Sequence, residues 1–458
     1  MDKIENYIES NKENYVEELK EFLRIPSIST NPENKEDVRN CAEYVRDQLN
    51  LIGLENVKIY ETPGHPIVYG DWLNAGENKP TILIYGHYDV QPVDPLNLWT
   101  DPPFEPTVRN GNIYARGSAD DKGQVFIHMK SIQAHLLNNG SLPVNIKFLI
   151  EGEEEVGSIN LDEFILNNKE LLKCDNVVVS DNAMFDYDVP SICYGLRGLA
   201  YMQVDVTGPN RDLHSGSFGG AVDNPINALA HIIVQLKDNK GKILIDGFYD
   251  EVLPISEKER EEFKKLPFDE KKYMEGLEIT EVFGEEGYST LERASARPTL
   301  DCNGIWGGFQ GEGAKTVLPS KASAKISMRL VPNQDPEKIE KLFTDFVNKI
   351  SPATVKVKVT SLHGGKGAIT PIDSPAIDAA VEALKKGFGK VPVFTREGGS
   401  IPIVNTFQTL LEADTVLLGF GLPDENAHSP DEHLNLSNFQ RGILSVAHFF
   451  TELSKIKK

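Results

Sequence analysis

The sequence contains no long apolar run. No stretch of about 18 consecutive apolar residues, the length that a membrane-spanning helix needs, occurs anywhere in its 458 residues. The first residues, MDKIENYIESNKENYVEELKEFL, are charged and amphipathic, without the apolar core of a signal peptide. We therefore expect a soluble protein, with the cytoplasm as its compartment.

Cysteine and basic residues are also scarce. The four cysteines are far apart and form no CxxC pair, so neither a disulfide framework nor a thiolate zinc site is expected. Lys and Arg number 47 against 69 Asp and Glu, for a net charge of -22. This balance argues against nucleic acid and against anionic lipid as partners. The length predicts at least two domains.

Four short apolar segments predict buried strands. They are Thr81–Tyr85, Ile146–Ile150, Val177–Val179 and Val416–Phe420. Continuous apolar runs of this length are typical of a parallel sheet with helices on both faces. Helical patterns cover Asp2–Leu23, Asp37–Leu51 and Gly123–Leu137. The sequence therefore predicts an α/β fold class, with a large domain built on a mostly parallel sheet flanked by helices.

The middle of the chain predicts a second, smaller domain. Its candidate strands are Leu199–Val206, Lys321–Leu330 and Thr354–Thr360. Helices are predicted to begin at Pro225, behind the N-cap Asn224, and at Pro336. Alternating strands and helices favour an inserted α+β domain. The predicted boundaries are 1–195 and 372–458 for the large domain and 196–371 for the insertion. The acidic stretch 240–295 has no assigned role.

Side chains that can bind a metal follow each predicted strand of the large domain. They are His87 and Asp89, then Glu151 and Glu153–Glu155, then Asp181 and, after a few more residues, His428. A fifth group, Asp120 and Asp121, follows the glycine-rich turn of YARGSADDKG. In open α/β sheets, ligands gather at the carboxyl ends of the strands. We therefore expect these groups to meet at one edge of the sheet.

Each of these residues alone has an ordinary explanation. A histidine at a strand end is more often a packing residue than a ligand, and an acidic run is usually a solvated loop. Together they are harder to explain without a cation, because clustered carboxylates beside a buried strand repel one another. Histidine and carboxylate ligands without thiolate suit zinc, manganese or cobalt.

Eight short segments form a more specific pattern. In order along the chain, they read GHYDVQP, YARGSADDKG, EGEEEVGS, SDN, LHSG, SMRLVPN, REGGSIP and AHSPDE. They resemble the signature segments of the zinc-dependent dipeptidases, the branch of the aminoacylase and carboxypeptidase family that includes the carnosine and cytosolic non-specific dipeptidases. The resemblance spans nearly the whole chain. It implies a catalytic domain that binds two metal ions, most simply zinc, and an inserted lid and dimerisation domain.

The resemblance assigns metal ligands residue by residue. His87 and Glu155 match ligands of one metal, and Asp181 and His428 match ligands of the other. Asp120 matches the carboxylate that bridges both metals, and the resemblance also implies a cis peptide bond after it.

The same resemblance assigns the catalytic acids. Asp89 matches the residue that orients the ligand histidine. Glu154 matches the general base for attack of a metal-bridging water on the peptide carbonyl. Its neighbour Glu153 receives no role.

Substrate-binding residues are implied in the later part of the chain. Arg329 matches an arginine that grips the free carboxylate of the substrate, a task suited to a guanidinium. Gly399 and Ser400 match a loop that assists it, and Glu397 matches an acid near the amino end of the substrate. The expected substrate is therefore a small peptide.

Two further residues match positions that reach the active site of a partner subunit. They are His214, which is implied to stabilise the developing oxyanion, and Thr316. The resemblance therefore implies a homodimer joined through the inserted domain.

Two alternatives remain open at this point. One is an N-acyl amino acid deacylase of the acetylornithine or succinyl-diaminopimelate type, which would use the same metal site. The other is a non-catalytic binding protein on a peptidase-like fold, since fold does not imply function.

Overall fold

The protein is built from alternating helices and strands, and its computed structural model describes residues 1–399 and 401–456. The α-helices are α1 (Asp2–Leu23), α2 (Lys35–Leu51), α3 (Lys122–Asn139), α4 (Leu161–Asn167), α5 (Lys169–Leu172), α6 (Ser215–Phe218), α7 (Pro225–Val234), α8 (Glu257–Lys265), α9 (Glu270–Gly276), α10 (Thr290–Ser295), α11 (Pro336–Ile350), α12 (Pro375–Phe388), α13 (Pro402–Leu410) and α14 (Leu436–Leu453). Within the described residues, none of these helices is long and apolar enough to cross a membrane.

The strands are short and spread along the whole chain. They are β1 (Glu55–Tyr60), β2 (Ile67–Trp72), β3 (Thr81–His87), β4 (Thr107–Arg109), β5 (Asn112–Tyr114), β6 (Asn145–Glu151), β7 (Asn176–Val179), β8 (Ser191–Leu196), β9 (Gly198–Thr207), β10 (Leu213–His214), β11 (Thr299–Gly307), β12 (Val317–Leu318), β13 (Lys321–Leu330), β14 (Lys356–Gly365), β15 (Ala368–Ile369), β16 (Val393–Glu397), β17 (Asp414–Leu417) and β18 (His433–Asn435). Single-turn 3-10 helices lie at Pro32–Asn34, Leu96–Leu98 and Glu154–Val156.

The chain divides into two compact units. The first consists of Met1–Tyr194, Thr370–Thr395 and Thr406–Lys458, and the second of Gly195–Ile369 and Arg396–Asn405. The long segment of the second unit begins and ends close to the predicted insertion. The second unit also includes a short later segment that the predicted boundaries assign to the large domain.

Most strands of a mixed nine-stranded sheet lie in the first unit. Its strand order is β1-β2-β6-β3-β7-β17-β8-β15, with β16 also paired to β8. The central strands β6, β3, β7 and β17 are parallel, whereas the outer pairs β1·β2, β2·β6, β17·β8 and β8·β15 are antiparallel. The predicted α/β class is confirmed, but the sheet is parallel only at its centre. Short links such as the one from β1 to β2 can join only antiparallel neighbours.

The apolar runs of the sequence form the centre of this sheet because both of their faces are buried. Every residue of β6 is buried, and so is every residue of β3 after Thr81. Side chains of α1, α2, α3, α12 and α14 join the sheet in one hydrophobic core.

The last predicted strand ends earlier than expected, at Leu417. The chain then passes so close to Asn182 that a Cβ on Gly419 would lie 2.0 Å from its carbonyl oxygen.

The second unit contains an antiparallel sheet with the order β11-β13-β9-β14. Helices α7 and α11 pack on it. The predicted N-cap is confirmed, since the Asn224 side chain accepts a hydrogen bond from the backbone of Ile226. Strand β11 was not predicted, because its sequence, TLDCNGIWG, lacks an apolar alternation.

Candidate metal centre

The first unit brings all five predicted metal ligands to the carboxyl ends of its central strands. His87 is the last residue of β3, and Asp181 lies just beyond β7. Glu155 lies in the single-turn helix that follows β6, and His428 in the loop after β17. Asp120 comes from the turn before α3. The parallel arrangement of the central strands explains why residues so distant in sequence meet here.

The five ligands form two clusters that share Asp120. In the first, His87, Asp120 and Asp181 each offer an atom within 4.8 Å of the others, and in the second Asp120, Glu155 and His428 do the same. The Asp120 Oδ1 atom lies 3.0 Å from Nε2 of His87, and its Oδ2 atom lies 2.8 Å from Nε2 of His428. The two oxygens of one carboxylate therefore face different clusters, as a bridging ligand requires.

The predicted pairing of the other four ligands is wrong. The resemblance implied that His87 pairs with Glu155 and Asp181 with His428. In the structure, His87 Nε2 lies 3.8 Å from Asp181 Oδ1, and His428 Nε2 lies 3.5 Å from Glu155 Oε2. Strand order alone would allow either pairing, because β3 lies between β6 and β7. The loops beyond the strands decide it: Asp181 stays beside the end of β3, whereas the single-turn helix after β6 brings Glu155 to His428.

These residues fit a pair of divalent cations. The Nε2 atom of His87 is buried and has no hydrogen bond of acceptable geometry within the described residues, although carboxylate oxygens surround it. Burial raises the pKa of Asp181, and it raises the pKa of Glu155 to about 8, with the charge of Asp120 adding to the rise. Carboxylates crowded in this way are stabilised as anions when a cation lies between them.

The two imidazoles respond to the same crowding. Burial alone would lower the pKa of His87, but its contacts with Asp120, Asp181 and Asp89 outweigh burial, and the net direction is well upward. The contact with Asp120 is the main cause that raises the pKa of His428 to about 9. Positive charge is thus favoured at both clusters. Nitrogen and oxygen donors without thiolate match zinc, manganese or cobalt.

Asp89 contacts both His87 and the acidic loop, residues 151–155. Its backbone carbonyl accepts a hydrogen bond from Nδ1 of His87 at 3.1 Å, which leaves Nε2 as the metal-facing nitrogen. Its carboxylate oxygens accept the backbone N–H groups of Glu154 and Glu155 at 3.2 and 3.1 Å. Asp89 therefore holds one ligand from each cluster in place.

The carboxylates of the acidic loop have separate surroundings. Glu151 accepts hydrogen bonds from Tyr85 and Ser158, at 2.6 and 2.8 Å. Glu153, which had no predicted role, accepts a hydrogen bond from the side chain of Asn160 at 2.7 Å. These two acids therefore have structural partners.

Glu154 belongs to neither metal cluster. Burial is the main cause that raises its pKa to about 7; His87 opposes this rise, while Asp181 and Asp120 add to it. A carboxylate that lies beside two candidate metal positions and belongs to neither cluster is suited to take up and return a proton.

Asp121 is a residue of the site that the sequence left without a role. It is buried, and its Oδ2 atom accepts the backbone N–H of His87 at 3.2 Å. The peptide bond between Asp120 and Asp121 is cis, as the resemblance implied. A Cβ on Gly86 would lie 2.7 Å from the same oxygen, so the approach requires glycine there. The paired acids of the string ADDKG were the available signal.

The buried ion pair between Arg116 and Glu432 also escaped prediction. Nη1 of Arg116 lies 2.6 Å from Oε2 of Glu432, and both side chains are almost inaccessible to solvent. Arg116 lies just before Asp120, and Glu432 just after His428. Their presence in the strings YARGSADDKG and AHSPDE was the only sequence signal.

The predicted substrate-binding residues Arg329, Glu397 and Gly399 lie in the second unit. Arg329 is a half-buried residue of β13, and burial lowers its pKa. Glu397 ends β16, and the carbonyl of Gly399 accepts the backbone N–H of Arg197 at 3.2 Å. Ser400 lies outside the described residues.

The structure places His214 and Thr316 next to each other. His214 pairs with Val317 on the two-stranded ladder β10·β12, and the carbonyl of Thr316 accepts the N–H of Ser215 at 3.1 Å. Both residues are exposed. Nδ1 of His214 accepts the backbone N–H of Gly216 at 3.0 Å, so Nε2 carries the proton of the neutral ring and is free to donate it.

Comparison with known proteins gives consistent matches over the length of the chain. The model of peptidase family M20/M25/M40 matches residues 83–452. A Cys-Gly metallodipeptidase from Schizosaccharomyces pombe is 34% identical over 471 residues, covering 100% of this chain and 99% of the relative. Human carnosine dipeptidase 1 has a TM-score of 0.85 at 32% identity, covering 99% of each chain. The metallo-carboxypeptidase Sso-CP2 from Sulfolobus solfataricus has a TM-score of 0.87 at 35% identity, covering 96% of this chain and 99% of its own.

Proposed function

Because the chain belongs to peptidase family M20/M25/M40 and is a metal-dependent hydrolase, we propose that it cleaves dipeptides or short peptides with a free C-terminal carboxylate. Full-length similarity to metallodipeptidases is the observation that carries this proposal. The shared carboxylate of Asp120 supports a centre of two metal ions. Zinc is the proposed metal, and manganese and cobalt suit the same donors. The cytoplasm remains the proposed compartment.

The proposed chemistry divides between the metals and the acidic loop. His87, Asp120 and Asp181 would hold one cation, and Asp120, Glu155 and His428 the other. When bound, the two cations would polarise the scissile carbonyl and make water a stronger nucleophile. Glu154 would accept the proton of the attacking water on its carboxylate and deliver it to the leaving amine.

Residues of the second unit would select the substrate. We propose that Arg329 binds the free carboxylate, supported by Gly399 and Ser400, and that Glu397 lies near the amino end. A half-buried guanidinium suits such a contact because desolvation strengthens its charge-assisted hydrogen bonds. In this proposal the first unit is the catalytic domain and the second is the lid and dimerisation domain.

A substrate panel tests the proposed function. The purified enzyme, with its bound metal measured on the same sample, should hydrolyse dipeptides faster than their C-terminally amidated analogues and faster than N-acetyl amino acids. A preference for N-acetyl amino acids would identify a deacylase, and no turnover of any compound by metal-loaded protein would indicate a binding protein. The metallodipeptidase relatives favour the first result.

The variant Arg329→Ala gives this panel its control. Loss of a partner from a buried charge-assisted pair costs on the order of 2–5 kcal/mol. The variant should therefore lose most of its activity on free dipeptides while its rate on amidated analogues changes little. Equal losses on both kinds of substrate would show that Arg329 does not recognise the carboxylate.

We also propose that the enzyme is a homodimer joined through the second unit. Strand β11 forms one edge of the four-stranded sheet. It exposes Ile305 and Trp306, and Phe309 beyond it is exposed as well. Exposed apolar side chains along a sheet edge favour association with another chain. His214 and Thr316 would then reach the partner's active site, where the Nε2–H of His214 would stabilise the oxyanion.

Mixing two inactive variants tests the role of His214. Glu154→Ala and His214→Ala should each be nearly inactive, since an oxyanion donor alone contributes roughly 10²–10³-fold in rate. After co-refolding, half of the dimers should be mixed, and each mixed dimer has one site with both Glu154 and the partner's His214. Activity should recover to roughly a quarter of the wild-type value. Mixed dimers, verified by mass, that show no recovery would mean that His214 acts within its own chain.

A further inference from the structure

The carboxylate of Glu432 contacts the turn that carries Asp120, the ligand shared by the two clusters. It is fully buried and accepts four hydrogen bonds. Oε2 accepts from Nη1 of Arg116 at 2.6 Å and from the N–H of Gly117 at 3.0 Å. Oε1 accepts from the N–H groups of Ala119 and Asp120 at 3.0 and 3.1 Å. The side chain of Glu432 therefore fixes the backbone conformation of the turn as far as Asp120.

The same residue also anchors the loop that carries His428. The backbone carbonyl of Glu432 accepts the N–H of Ala115 at 3.1 Å, and the next residues form β18, which pairs with β5. His428 lies a few residues before this anchor, in a left-handed conformation with φ 61°. Two ligands of the second cluster, Asp120 and His428, thus depend on the same junction, formed by Glu432 and its contacts with residues 115–120.

A contribution to folding stability does not by itself explain the buried ion pair at this junction. A buried ion pair often contributes little net stability, because removing both charges from water offsets their attraction. Its four donors, however, converge on one carboxylate and leave the turn a single geometry. We propose that Glu432 is a positioning residue for the metal held by Asp120, Glu155 and His428.

This inference rests on the proposed two-metal centre and predicts unequal effects on the two positions. The first cluster shares Asp120, but its other two ligands, His87 and Asp181, come from the adjacent strands β3 and β7, which do not involve Glu432. The second keeps only Glu155 independent of the junction. Loss of the Glu432 carboxylate should therefore weaken the second metal position more than the first.

Glu432→Gln tests this prediction with little change in volume. The amide can accept hydrogen bonds at one atom only, so two of the four donors would face an NH₂ group. Metal-free protein would be titrated with Zn²⁺ against a chromophoric chelator. We expect one equivalent to bind about 10–100-fold more weakly than in the wild type, the usual effect of a residue that orients ligands, and the other to lose clearly less affinity.

A matched variant separates this role from a loss of folding stability. Asp71 is also a buried carboxylate of the first unit, on β2, where it accepts hydrogen bonds from Tyr69 and Asn56. Asp71→Asn should lower the melting temperature without changing either metal affinity. Glu432→Asp keeps the negative charge on a shorter side chain that cannot reach all four donors, and it replaces Glu432→Gln if that variant does not fold.

The outcomes are distinct. Weakening of one equivalent well beyond that of the other supports the inference. Unchanged binding of both equivalents, or equal weakening of both, overturns it while the two-metal centre stands. Wild-type protein that binds fewer than two equivalents would instead overturn the proposed function.

Discussion

Removal of the bound metals is expected to abolish dipeptide hydrolysis, and zinc, manganese or cobalt should restore it. Without the cations held by Asp120, Asp181 and Glu155, no positive charge polarises the peptide carbonyl. Glu154 then has no activated water to deprotonate. Turnover would be measured before and after dialysis against a chelator, with metal content determined at each step. Full activity in protein shown to be metal-free would contradict the two-metal proposal.

The same experiment should report a change in stability. The buried carboxylates of the two clusters repel one another in the metal-free protein, so metal binding favours the folded state. Free metal at about 100 times its Kd should add about 2.7 kcal/mol to the free energy of unfolding for each site. The melting temperature should therefore fall on chelation and recover with the metal, which distinguishes a resident metal from one that only accompanies the substrate.

Glu154→Gln is expected to lower the turnover rate by roughly 10²–10⁴-fold, the usual contribution of general acid–base catalysis. The amide keeps the shape of the side chain but does not accept the proton of the attacking water. Both metals should remain bound, because Glu154 belongs to neither cluster. Initial rates and metal content measured on one preparation check both statements.

The adjacent residue provides a matched control. Glu153→Gln keeps an oxygen that can accept the hydrogen bond from Asn160, so its turnover should stay near that of the wild type. Normal turnover of Glu154→Gln would assign the base to another residue. Loss of a metal from that variant would identify Glu154 as a ligand. The predicted ligand assignment in this loop would then be wrong by one residue.

Local sequence signals determined much of the secondary structure. Helix α1 ends at Leu23, ahead of Pro26, and α11 begins at Pro336 behind the cap of Asp335, because prolines and capping side chains act on the backbone beside them. Strand β13 has its predicted bounds because its apolar alternation is complete within its own ten residues. Such signals need no knowledge of the rest of the chain.

The identity of the candidate ligands was also available from the sequence. The strand ends and the glycine-rich turn indicated a set of candidate groups, and the resemblance selected His87, Asp120, Glu155, Asp181 and His428 among them. The structure brings all five together because the carboxyl ends of parallel strands share one edge of a sheet.

Only the tertiary structure decided how these groups are paired and supported. The loops beyond the strand ends placed Asp181 beside His87 and Glu155 beside His428. The course of these loops depends on packing between distant segments, which no local pattern encodes. For the same reason, the ion pair between Arg116 and Glu432 could not be foreseen: 316 residues separate them in sequence, and only the fold brings their charges within 2.6 Å.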